Sequence, residues 1–177
     1  MNKSILPCVC LSALLALASC AAGQRTIAVN GFTLTAPSSE RFVLSDQTPA
    51  VSSGAQGVDL AAEKMFYSKS KQSAVLISSA MINLSDDGQD VALGYMESLK
   101  KQLEAAGQVE LNPRDGNDGI KIVSLVFAAG DVVTDKVLVY SLDRPNALMV
   151  DFVFAADEAQ SLKDDMAALL DSISVIE

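Results

Sequence analysis

Ser68-Lys69-Ser70-Lys71 and Ser98-Leu99-Lys100-Lys101 each place a lysine three residues after a serine. At that spacing a lysine amine can activate a serine nucleophile for acyl transfer. The chemistry also needs Ser-Asp-Asn and Lys-Thr-Gly partners, and neither tripeptide occurs in the 177 residues. The first pair therefore reads as a connection between strands and the second as a solvated helix face. Asp115-Gly116-Asn117-Asp118-Gly119 has the composition of a calcium loop. A helix-loop-helix calcium site needs Gly at its sixth position and Glu at its twelfth, where this chain has Ile120 and Val126. The reading is a polar turn before a strand. Asp86, Asp87 and Asp90 gather three carboxylates at the start of a helical pattern, where acids favour the positive end of the helix dipole without any metal. Gly54-Ala55-Gln56-Gly57 lacks the Lys-Ser/Thr ending of a phosphate loop.

The chain contains no histidine, which excludes Ser-His-Asp, Cys-His and His-based zinc chemistry. Carboxylate pairs that hydrolyse glycosides usually work in clefts lined with aromatics, and here aromatics are 5% with no Trp. The expectation is a protein that is not an enzyme, with no catalytic residue, no metal ligand and no cofactor. A net charge of −9 and a pI near 4.4 repel polyanions, so nucleic acid is not expected as a partner.

Residues 1–19 open with Lys3, continue through an apolar run from Val9 to Leu17, and end in small residues. They read as a secretory signal too short to span a membrane permanently. Leu17-Ala18-Ser19-Cys20 resembles the bacterial lipobox, a branched aliphatic and two small residues before a cysteine that receives lipid. The alternative is an ordinary signal peptide with a cysteine at its cleavage region. Against that alternative, Cys8 and Cys10 fall in the removed segment, leaving Cys20 as the sole thiol, and acylation removes its liability outside the cytoplasm. Two or three chains of the palmitate type anchor stably where one does not. Residues 20–24 form the tether, reaching on the order of 15 Å, so the domain is held close to the bilayer. Residue 21 is Ala rather than the Asp associated with inner-membrane retention, which favours the outer membrane where the cell has one.

The remaining chain, 25–177, reads as a single α+β domain. Arg25 to Val29 and Phe32 to Ala36 flank Asn30-Gly31, a hairpin signal. Pro37 ends the second strand, and Arg41 to Leu44 is where it could resume. Ser45 to Asp59, with Pro49, Gly54 and Gly57, reads as a long loop and the expected partner-contacting segment. Strands are expected at Glu63 to Lys69 and Ala74 to Asn83, then a helix over Asp90 to Ala106 from the spacing of Ala92, Met96, Leu99 and Leu103. Gly119 to Ala129, Val132 to Ser141 and Ala147 to Ala155 follow as an antiparallel meander. A closing helix spans Asp157 to Ile173, with Asp157 and Gln160 at capping-box spacing.

Phe32-Thr33-Leu34-Thr35-Ala36-Pro37 followed by Phe42, the helix before a meander, and the closing Leu170-Asp171-Ser172-Ile173 resemble the PsbP-like group, which includes bacterial DcrB-type lipoproteins. Where that group often has Trp after the proline, this chain has Phe42. The resemblance implies a central antiparallel sheet with two main helices packed on it, and no enzymatic activity. The functional expectation is a lipid-anchored protein of the bacterial cell envelope, a noncatalytic binding or assembly module. It would meet the membrane through its N-terminal lipid and an envelope protein through its surface. The alternatives are a small-ligand carrier and a divergent carboxylate-based hydrolase.

Overall fold

The computed structural model describes residues 25–45, 58–70, 72–84, 90–157 and 159–176, except the side chains of 159–161 and 163. The signal, the tether and Cys20 lie outside the described residues, as do Asp86, Asp87 and Lys71.

The chain enters as a hairpin of β1 (Thr26–Val29) and β2 (Phe32–Thr35). Its turn is Asn30-Gly31, with φ of 51° and 84°. Two successive positive φ values give the turn whose twist matches paired strands, and Asn and Gly tolerate them best. A two-residue strand at the far end of the chain, β10 (Ser174–Val175), pairs with the other edge of β2. Thr33 Oγ1 and Ser174 Oγ share a 2.7 Å hydrogen bond across that pairing.

Seven further strands form a second antiparallel sheet: β3 (Phe42–Leu44), β4 (Val58–Ser68), β5 (Ala74–Ile82), β6 (Val109–Asp115), β7 (Lys121–Ala129), β8 (Val132–Ser141) and β9 (Arg144–Ala155). Their order is β3-β4-β5-β9-β8-β7-β6. Two runs of consecutive strands thus meet where β5 pairs with β9, from Ala74 opposite Val153 to Met81 opposite Asn146. Helix α1 (Val91–Leu103) links β5 to β6, and α2 (Ala159–Asp171) links β9 to β10.

Alternation along the central strands builds two separate cores. Val137, Val139, Leu148 and Val150 belong to one with Leu162, Met166 and Leu169 of α2 and with Phe32 and Leu34 of β2. Leu138, Tyr140, Ala147 and Met149, their immediate neighbours in sequence, belong to the other with Ala92 and Met96 of α1. Asp90 caps α1, accepting from the Leu93 backbone N–H at 2.9 Å, while its second oxygen accepts from the Tyr140 hydroxyl at 2.7 Å. Asn30 does a similar double duty. Its amide donates to the Ala80 and Ala147 carbonyls at 2.7 and 2.9 Å, tying the hairpin turn to the point where β5 meets β9.

The structure corrects several expectations. The single sheet becomes two, because β1, β2 and β10 pair only among themselves among the described residues. The stretch expected to resume the second strand is β3, which crosses to the larger sheet and pairs with β4. Within the expected loop Ser45 to Asp59, positions 46–57 lie outside the described residues, while Val58 and Asp59 begin β4. An unexpected strand, β6, precedes the Asp115–Gly119 turn. Residues Arg144 to Asn146, ahead of the strand expected to begin at Ala147, open β9. The closing helix stops at Asp171, leaving Ile173 buried ahead of β10.

Candidate functional site

Several residues of the expected chemical motifs are engaged in local structure. Ser68 Oγ accepts from the Ser73 backbone N–H at 3.1 Å and shares a 2.9 Å hydrogen bond with Ser70, closing the connection between β4 and β5. Ser98 and Lys101 both sit on α1, where the neighbouring Lys100 lies 3.5 Å from Glu104 one turn on. In the turn between β6 and β7, Asp118 and Gly119 take positive φ and Lys121 reaches Asp115 at 2.5 Å. Asp90 is held by α1 and Tyr140 as described. Among the described residues no group of three or more Asp, Glu, Cys or His could hold a metal ion.

The perturbed titratable groups are likewise internal to the fold. Burial pushes the Tyr140 hydroxyl above its usual range, helped by its bond to Asp90. Burial also raises the Tyr95 hydroxyl, with the Asp151 charge adding to it. Asp151 is itself clamped at 2.5 Å to Lys136, its cross-strand partner, with side chains 15% and 20% exposed. Asp135 is raised by burial and, to a smaller degree, by Asp151, against the opposing bond it receives from Ser124 Oγ at 2.6 Å.

A concave surface lies at one end of the strands, opposite the Asn30-Gly31 turn. A cleft of about 710 Å³ opens between α2 and the chain running from β2 into β3. Pro37 stops β2, since it has no N–H to donate, and Ser38 turns the chain back with its carbonyl accepting from Arg41 and Phe42 N–H groups. The walls carry Phe42, Val43, Leu44, Phe66 and Leu169, with Arg25, Glu40 and several serines between them. Arg41 spans the base of the wall to Asp165 of α2, with 2.7 Å between guanidinium nitrogen and Oδ2. That oxygen is sealed from water, so the guanidinium stands in for solvent by charge rather than by a well-aligned hydrogen bond. A second depression of about 490 Å³ continues past Val43 and Leu44 to Tyr67 and Lys69. Ser172 in the cleft is occupied at both lone pair and proton, accepting from Thr35 N–H at 2.8 Å and donating to the Leu169 carbonyl at 2.6 Å. The cleft therefore offers aliphatic and aromatic surface with a comparable share of polar surface, and among the described residues it shows no nucleophile paired to a base. Nothing in the sequence reading singled out Arg41 or Asp165, because the pair joins two segments more than a hundred residues apart.

No protein-family model matches the chain, and no curated protein matches it. Among solved structures it is similar to cyanobacterial PsbP (CyanoP) from Synechocystis sp. PCC 6803, with a TM-score of 0.54. The fold is PsbP-like. The similarity covers 85% of this chain and 91% of the cyanobacterial one at 19% identity, so it speaks for the arrangement of elements. In this PsbP-like fold no described helix is long and apolar enough to cross a membrane.

Proposed function

We propose that this protein is a lipid-anchored component of the bacterial cell envelope whose domain binds or assembles with another molecule without catalysing a reaction. The anchor rests on Leu17-Ala18-Ser19-Cys20 and on the absence of any other thiol after cleavage. The noncatalytic reading rests on one structural observation: in and around the cleft, the hydroxyls of Ser172 and Ser68 and the carboxylate of Asp165 are all committed to contacts within the fold. The cleft presents apolar surface from Phe42, Val43, Leu44, Phe66 and Leu169 interspersed with polar groups, and such a mixture is found in binding sites. The favoured occupant is an envelope protein. A small apolar ligand is the second reading, because about 710 Å³ falls within the range of small-molecule sites.

The test places a photo-crosslinking residue at Ala168, an exposed position on the cleft wall, or at Leu142, 56% exposed at the other end of the strands. In the full lipidated chain, a protein adduct from Ala168 and not from Leu142 is the expected outcome. A copurifying small molecule displaced by bulky substitution at Ala168 supports the second reading. Turnover in a hydrolase panel, abolished by Asp165→Asn, overturns both.

A further inference from the structure

We infer that the rim formed by Val43, Leu44 and Tyr67 rests against the lipid headgroup surface of the membrane to which the chain is anchored. This inference deepens the anchored reading above and rests on it.

Three observations point the same way. The first is where the chain enters. Arg25 is the first described residue, its carbonyl accepts from Ala36 N–H at 2.7 Å, and its side chain lines the same cleft as Val43 and Leu44. Only residues 21–24 separate it from the lipidated cysteine, a span of at most about 17 Å when fully extended. The end of the molecule that carries Arg25 cannot turn far from the bilayer.

The second observation is the apolar surface at that end. Val43 is 54% exposed, Tyr67 40% and Leu44 37%, and Val43 and Tyr67 are register partners across β3 and β4. They form a continuous surface at the outermost strand of the larger sheet. Apolar side chains beside cations are what a peripheral protein sinks into the boundary between headgroup and acyl chain.

The third is charge. The chain as a whole is at −9, yet this rim and its cleft carry Arg25, Arg41 and Lys69 against Glu40 and Asp165. With Arg41 paired to Asp165, the rim itself is close to neutral, so an anionic leaflet repels it less than it repels the molecule as a whole. Exposed apolar side chains also occur at the opposite end, at Met81, Leu84 and Leu142. When the Val43 rim rests on the bilayer that end points away from it, so Leu142 serves as the internal control.

The experiment uses the full lipidated protein in vesicles of phosphatidylethanolamine and phosphatidylglycerol. Because the acylated chain has no free thiol, Val43→Cys and Leu142→Cys can each be labelled with an environment-sensitive fluorophore and quenched by lipids carrying a shallow nitroxide. The Val43 label is expected to be quenched about threefold more strongly than the Leu142 label, as an interfacial side chain would be. Tyr67→Cys repeats the measurement should Val43→Cys fail to fold. Acylated, vesicle-bound protein with equal quenching at both ends overturns the orientation while leaving the anchor intact. Protein that takes up no fatty acid and stays off the vesicles overturns the anchored reading and the orientation together.

Discussion

Asp90 carries two obligations through one carboxylate, the helix cap and the Tyr140 hydroxyl, and its replacement exposes both. Asp90→Ala leaves an N-terminal N–H and a buried phenol without their acceptor, which amounts to about 2 to 3 kcal/mol. Urea unfolding should show that loss, and adding Tyr140→Phe should recover part of it by removing the stranded hydroxyl. The Lys136–Asp151 pair obeys similar logic with charge in place of a hydroxyl. Lys136→Met alone should destabilise by about 3 kcal/mol, since it strands a carboxylate that is only 15% exposed. With Asp151→Leu added, most of that loss should return. A double mutant no better than the single would show that the pair does more than neutralise itself. Asp135 gives a pH-dependent case. Burial raises its carboxyl above the unfolded value, so its contribution to stability is complete below the unfolded pKa and is lost as pH rises through the folded one. Asp135→Asn keeps an acceptor for Ser124 without the charge, and should raise the melting temperature at pH 7 by more than it does toward about pH 4. An increment independent of pH would contradict that account.

Among the elements, Asn30 separates turn chemistry from tertiary attachment. Asn30→Gly accepts the same positive φ but removes the two bonds to Ala80 and Ala147. A loss of about 2 kcal/mol is expected with the hairpin intact, read from unfolding and from the NMR signature of the β1–β2 register. Alanine there would confound the two effects. The Asn-Gly hairpin, the helix beginning after Asp90 and the strand at Val132–Ser141 were legible because each writes its own periodicity or turn chemistry into contiguous residues. Strand β6 was not. It lies at the outer edge of the sheet, buries fully only Val109, and holds Pro113 where a central strand would not. Such a strand has no buried face to impose alternation. β10 is two residues long, and three-residue β3 belongs to the larger sheet only because Phe42 to Leu44 face Phe66 to Ser68. No local signal tells a strand that short which sheet it joins. Strand β4 began earlier than expected because Asp59, Ala61 and Glu63 intersperse its inward residues with small and charged ones.

At the scale of the whole molecule, the cleft was illegible for a simple reason: four stretches remote in sequence meet there, at Arg25, at 35–44, at Phe66 and on α2. Sequence could nominate the anchor, which is a contiguous motif, and could not nominate a concavity assembled by the fold. The same composition predicts that melting of the chain from Ala21 to Glu177 is unchanged by reductant or by chelator, since those residues include no cysteine and no histidine. A fall of several degrees with chelator would assign the aspartates of the Asp115–Gly119 turn to a hard cation. The junction of β5 with β9 carries a consequence in time. It is the one long ladder in the larger sheet whose strands are far apart in the chain, residues 74 to 82 against 144 to 155, while its neighbours are hairpins. Loop closure must precede any reward from that ladder, so the rate of folding should be set there. Val150→Ala is expected to slow refolding in a stopped-flow chevron, whereas Phe42→Ala, at the late-docking edge, should mainly speed unfolding. During N-to-C synthesis, β5 waits with one backbone edge open until residue 155 has arrived. The nascent protein is thus a ready client for holding chaperones over nearly half of its length.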